Sequence, residues 1–226
     1  MEVLVCIKIV PDIEMVIPTD WIKVKDLKSL DIGYVNNIIN TFDQCALELA
    51  LRLGDKAKKN GIDYKLSIIS IGGEECEPVL KNIFPLKVDR IIRIENEKEI
   101  NNNPLAIATI IGNAINKLGP FDLIFFGIQA SEYDNGQVGL VVAEILELPC
   151  VTNVTEIDLG ESYTIITHQT DIGLETIHID TPVVLTVGNT SDIYLRLATL
   201  KDKIKARGRN IELFSLEQLG LCSQKL

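Results

Sequence analysis

The sequence predicts an α/β fold: a doubly wound, mostly parallel sheet with a C-terminal antiparallel β extension and a docking tail. Three observations predict it. Apolar, β-branched runs alternate with helical patterns up to Pro149 in the order β-α-β-α-β-α-β-α, which requires parallel strands with helices on both faces. The run Phe121-Asp122-Leu123-Ile124-Phe125-Phe126-Gly127 is apolar almost throughout, as a strand covered on both faces must be. Beyond Pro149 the alternation gives way to short β-rich segments joined by turn residues.

The first strand is read over residues 3–10, Val3 to Val10, and is stopped by Pro11. Lys8 lies late in this run. It is either a snorkelling side chain at the strand end or a charge set near a phosphate. Residues 12–36 read as a long loop with room for a small hairpin, and loops longer than about 12 to 15 residues are often functional. Phe42, Cys45, Ala46, Leu49 and Leu53 follow a helical period, with Asn40 or Thr41 as the cap, a Lys-rich last turn and Gly61 beyond. The second strand is Lys65 to Ile71, ended by Gly72-Gly73. A short helix from Glu75 to Phe84 and a third strand, Asp89 to Ile94, follow. Pro104 after Asn103 starts a helix that runs to Leu118.

The strand at 121–126 then leads into Ile128 to Asn135 and an apolar helix opened by Gly136-Gln137-Val138-Gly139 and read to Pro149. Asp134 or Asn135 is suited to cap that helix. Two glycines three apart would let a ligand come close to the backbone, and the free amides at the positive helix end suit a phosphate. Ligands of open α/β sheets bind beyond the carboxyl ends of the strands, where this loop lies. An ordinary strand-to-helix turn is the plainer reading of the same residues. Three β-rich segments, 151–159, 162–170 and 174–180, form the extension, and Pro182 to Val187 returns as a buried strand. Residues 188–198 read as a loop and Thr199 to Ala206 as a short basic helix. The tail, 210–226, either folds back on its own core or docks on another chain.

Composition narrows the function. A net charge of −10 argues against a nucleic-acid or anionic membrane partner, and 5% aromatic residues leave little for base stacking. No apolar run reaches the roughly 18 residues of a bilayer span, and the N-terminus lacks the marks of a signal peptide. Cys6, Cys45, Cys76, Cys150 and Cys222 are scattered, with no CxxC spacing, which fits small core residues in a reducing cytoplasm. His168 and His178 fall in the β extension. No GxSxG, phosphate-loop, zinc-spaced or GxGxxG motif occurs, and no nucleophile has a matching base. The residues therefore read as a nucleotide-binding module more readily than as a hydrolase.

Several stretches resemble the β subunit of electron transfer flavoprotein. They are Val3 to Asp12, Asn40-Thr41-Phe42-Asp43 with Ala46-Leu47-Glu48, Gly127-Ile128-Gln129-Ala130 through Gln137-Val138-Gly139, Ala143-Glu144 with Leu148-Pro149, and Arg196-Leu197-Ala198-Thr199-Leu200. The resemblance is collinear over nearly the whole chain. It implies an adenine-nucleotide-binding, HUP-like domain over 1–190, including the extension at 151–180. A partner-recognition segment, basic helix and C-terminal arm would occupy 191–226. It implies a heterodimer with an α subunit that holds most of an FAD, and a second nucleotide on this chain. That nucleotide is AMP in ordinary members and a second FAD in electron-bifurcating ones. Electrons would pass between NADH or acyl-CoA-type dehydrogenases and an acceptor, with the redox chemistry belonging to the cofactor. Carried over by motif, the second nucleotide would meet Cys6, Lys8, Asn40, Thr41, Phe42, Asp43, Ile71 and Gln129. In the central loop it would meet Glu132, Tyr133, Asp134, Asn135, Gly136, Gln137, Val138 and Gly139. Ile128 stands where the family usually has Lys, and Leu195 where it has Pro. The Gln137-Val138-Gly139 ending is more like bifurcating members. The alternative is a stand-alone adenine-nucleotide-binding regulatory module.

Overall fold

A computed structural model describes residues 1–23, 33–96, 103–130, 134–160, 163–188 and 193–221. Its strands and helices are β1 (Glu2–Cys6), β2 (Ile9–Pro11), α1 (Pro18–Lys23), β3 (Asn37–Ile39), α2 (Thr41–Lys59), β4 (Lys65–Ile71), α3 (Glu77–Lys81), β5 (Arg90–Ile94), α4 (Pro104–Leu118), β6 (Leu123–Gly127), α5 (Val138–Ile145), β7 (Cys150–Leu159), β8 (Thr164–Thr170), β9 (Gly173–Ile179), β10 (Val183–Val187), α6 (Leu200–Lys205) and β11 (Glu212–Phe214).

The main sheet runs β11-β5-β4-β1-β6-β10-β7-β8-β9. Every neighbour from β11 to β7 pairs in parallel, and β8 and β9 add antiparallel strands at one end. The doubly wound reading therefore holds. The first segment of the expected antiparallel extension, β7, belongs to both parts, because it lies parallel to β10 and antiparallel to β8. Alternate residues of each strand feed two cores. Val3, Val5, Leu123, Phe125, Val183 and Leu185 face α2, while Leu4, Cys6, Ile124, Phe126 and Val184 face α4 and α5. All of these are buried, which explains why the strands read as continuous apolar runs.

Three expectations need correction. The single strand expected over 3–10 is two, because the chain turns at Ile7 and Lys8. β2 leaves the main sheet and pairs antiparallel with β3. That ladder closes the long excursion, so α2 starts beside the end of β1, with the Asn40 amide donating to the Lys8 carbonyl at 3.0 Å. The helix expected over 75–84 is only α3, flanked by 3-10 turns at Glu74–Cys76 and Phe84–Leu86. The helix expected to reach Pro149 ends at Ile145. The tail resolves toward folding back: β11 extends the sheet alongside β5 and Leu219 is buried in the α4 core, with 222–226 outside the described residues.

Candidate functional site

The order β5-β4-β1-β6 contains the reversal on which a site depends. From β1 the chain winds outward through β4 to β5, then crosses back along α4 to β6 on the other side of β1. The connections after β1 and β6 therefore leave in different directions and open a crevice above the strand ends. A cleft of about 920 Å³, counted out to its mouth, occupies this place. Its floor is Cys6, Ile7 and Lys8 after β1 and Phe126 and Gly127 of β6. One wall is Ile69 to Ile71 of β4 with Pro104, Ile107 and Ile111 of α4, and the other is Ile128 to Ala130 with Asn135 to Gly139.

Of the residues expected to bind a nucleotide, Cys6, Lys8, Asn40, Asp43, Ile71, Gln129, Asn135, Gly136, Gln137, Val138 and Gly139 come together on this cleft. Thr41, Phe42 and Asp134 lie beside it and not on its lining, and Glu132 and Tyr133 lie outside the described residues. The α4 residues Pro104, Ile107 and Ile111 were not anticipated. A helix start was legible at Pro104, but only the crossover of α4 over β4 and β1 hangs it above the same crevice.

Three helix N-termini converge here, and they are not equivalent. That of α2 carries Asp43 in its first turn. The Asp43 side chain is buried and accepts from the Lys8 amide at 2.7 Å and from the Gly127 amide at 2.9 Å. Burial pushes its pKa up to about 7; the two amides, the Asn40 side chain and the charge of Lys8 pull the other way. The same burial, reinforced by the nearby Asp43 carboxyl, pushes the Cys6 thiol well above its ordinary range. The N-terminus of α4 is closed by the Asn103 side chain, which accepts from the Ala106 amide at 3.1 Å, and by Pro104, which has no N–H. The N-terminus of α5 is open among the described residues. Neither Asp134 nor Asn135 caps it as expected: Gln137 stands at the cap position without a side-chain bond, and Asp134 instead accepts from Gln129 Nε2 at 3.1 Å. No acidic residue lies in its first turn, and the amides of Val138, Gly139 and Leu140 meet no acceptor among the described residues. Asn40 also departs from its expected role. It holds the cap position of α2, but its side chain donates to the Gln129 carbonyl at 2.8 Å, tying α2 to the loop after β6.

The glycines are also explained by geometry. Gly136 has φ +60, where an L side chain is strained. Gly139 was expected to admit a ligand, yet a Cβ there would lie 2.9 Å from Thr186 Cγ2 and 3.3 Å from Phe126 Cβ. Its missing side chain lets α5 sit down on the sheet. Arg196, in the segment that runs from Ile193 to Thr199, is held by buried Glu48, with Nε 3.0 Å from Oε2 and Nη2 3.0 Å from Oε1. Leu197, next to it, is 95% exposed and Leu200 74%. His168 and His178 lie on β8 and β9, with His178 stacked on Tyr163 at 4.5 Å. No group of three or more metal-ligating side chains occurs among the described residues.

A crevice at the switch point of a doubly wound sheet, with one open helix end and an apolar wall opposite, is the place where open α/β domains take their ligands. The sequence profile of the electron transfer flavoprotein domain matches residues 30–218. Proteins named electron transfer flavoprotein subunit beta are similar along most of the chain. That of Megasphaera elsdenii is 31% identical over 219 residues, covering 93% of this chain and 77% of its own length. That of Thermoanaerobacterium thermosaccharolyticum is 32% identical over 187 residues, covering 82% and 67%. The mitochondrial one of Arabidopsis thaliana is 31% identical over 225 residues, covering 97% and 83%. The chain belongs to the electron transfer flavoprotein family, as a β subunit, and its role is in electron transfer. No helix of the described residues is long and apolar enough to cross a membrane.

Proposed function

We propose that this chain seats an adenine nucleotide in the cleft and works as one half of a heterodimer whose α subunit carries the electron-transferring FAD. The observation that carries this reading is the inequality of the three helix ends. The open amides of α5 suit an anionic phosphate. The wall of Ile71, Pro104, Ile107 and Ile111 opposite offers an apolar face to a flat purine. Lys8 on the floor adds positive charge between them. These residues fit the adenylate group shared by AMP and FAD. They supply no nucleophile or metal cluster, so this chain's contribution is to bind and orient. A flavin, when bound, would supply the electron transfer itself.

The motif likeness at Gln137-Val138-Gly139 favours FAD as the second nucleotide and a complex that accepts hydride from NADH. A dehydrogenase would dock through the exposed segment around Leu197 and Leu200, and the assembled pair would work in the cytoplasm. Co-expression with the neighbouring α subunit, followed by heat release and chromatography of the cofactors, tests the reading. The expected result is a yellow heterodimer with two FAD. One FAD and one AMP would reject the bifurcating form and keep the nucleotide cleft. A colourless monomer that binds ATP would reject the electron-carrier reading altogether.

A further inference from the structure

We propose that Asp43 is a positioning residue that bolts the ends of β1 and β6 together beneath the cleft, and that it does not itself touch the nucleotide. This rests on the nucleotide reading above and adds how the cleft is kept in shape. β1 and β6 pair in register from Val3 to Val5, but past that point their connections diverge. No main-chain bond of that ladder can hold the ends once they part. Asp43 spans the gap from a third element, α2. One carboxyl oxygen takes the Lys8 amide, just past β1, and the other takes the Gly127 amide, the last residue of β6. Both oxygens are therefore engaged with backbone.

The space around the bolt is matched to it. A Cβ on Gly127 would stand 2.4 Å from Asp43 Oδ1 and 2.7 Å from Phe42 Cβ, so the carboxyl can reach β6 only because residue 127 has no side chain. Around Asp43, Asn40 shares its turn of α2, and Lys8 and Cys6 face it from the end of β1. Asp43 also places a carboxyl in the first turn of α2, whereas the first turn of α5 has no acidic residue.

The test uses the full-length chain in its complex, stripped of nucleotide, and compares wild type, Asp43→Asn, which keeps one acceptor, and Asp43→Ala, which keeps none. Amide hydrogen exchange at Lys8 and Gly127 is read first, then AMP affinity by calorimetry. In the Ala variant, exchange at these two amides is expected to speed up at least tenfold in the nucleotide-free protein. The core of β4 should be unaffected, AMP should bind at least tenfold more weakly, and the Asn variant should fall between. Loss of AMP binding with unchanged exchange would make Asp43 a direct ligand and overturn the proposal, as would no change in either. Faster exchange in a protein whose wild type binds neither AMP nor FAD would uphold the bolt and remove the nucleotide reading instead. If the Ala variant fails to fold, the Asn variant decides on the same two readouts.

Discussion

Glu48 and Arg196 form an asymmetric pair, and the asymmetry can be measured. The Glu48 side chain is 5% exposed on α2, whereas that of Arg196 is 31% exposed. Glu48 accepts the Arg196 fork and main-chain amide, the latter at 3.1 Å, and also Arg52 Nε at 3.1 Å. Arg196→Ala would strip a buried carboxylate of most of its donors. Breaking a fully buried pair costs about 3 to 5 kcal/mol, and partial exposure of Arg196 places the expected loss at about 3 kcal/mol. Glu48→Ala should cost less, about 1.5 kcal/mol, because Arg196 keeps Asp55 at 2.6 Å and can reach water, and alanine favours the helix. The double variant should fall about 2 kcal/mol short of the sum. Urea denaturation of the four proteins reads this directly. Additivity within about 0.5 kcal/mol, or a larger loss from Glu48→Ala, would refute the claim that the burial of Glu48 sets the energetics of the segment carrying Leu197 and Leu200.

Other outcomes follow from the same geometry. Gly139→Ala should lower stability by about 1 kcal/mol, since overpacking against Thr186 and Phe126 outweighs the gain in helix propensity; an unchanged Tm with loss of nucleotide would put Gly139 against the ligand instead. The Asp43 carboxyl is raised from 3.8 to about 7 on folding, so the stability it contributes is complete below about pH 4 and is withdrawn as pH rises through 7. Denaturation midpoints should therefore fall between about pH 4 and 7 and level off above that, by at most about 4 kcal/mol in stability, and Asp43→Asn should flatten that slope. Among the described cysteines, Cys150 alone is only half-buried; burial raises its thiol too, that of Cys76 to about 11 and that of Cys6 well above its ordinary range. Iodoacetamide at pH 8, followed by peptide mapping, should modify Cys150 before Cys6, Cys45 and Cys76, and labelling of Cys6 ahead of Cys150 would contradict its burial at the cleft floor.

Much of this protein was legible in local pattern. β4 and α4 have the bounds expected from Lys65 to Ile71 and from Pro104 to Leu118, because each is punctuated by Gly or Pro and carries one clear period. The central loop was singled out because an unbroken apolar strand, a polar turn and a glycine-bearing helix start are adjacent in the chain. The first strand misled for the same reason: Ile7, Ile9 and Val10 are as strand-prone as Val3 to Cys6, and propensity cannot say which sheet a β-branched residue joins.

Sequence by itself determined most of the core strands and long helices, the alternation of faces and the family. Tertiary structure decided what the termini of those elements do. That Asp43 serves the ends of two strands, that the missing side chain of Gly139 makes room for Thr186 and Phe126, and that α4 overhangs the cleft all depend on contacts between residues distant in the chain. Local periodicity records which side of an element is buried. It carries no record of which distant backbone amide a carboxylate will meet, because that is set by strand order and by where the crossovers diverge.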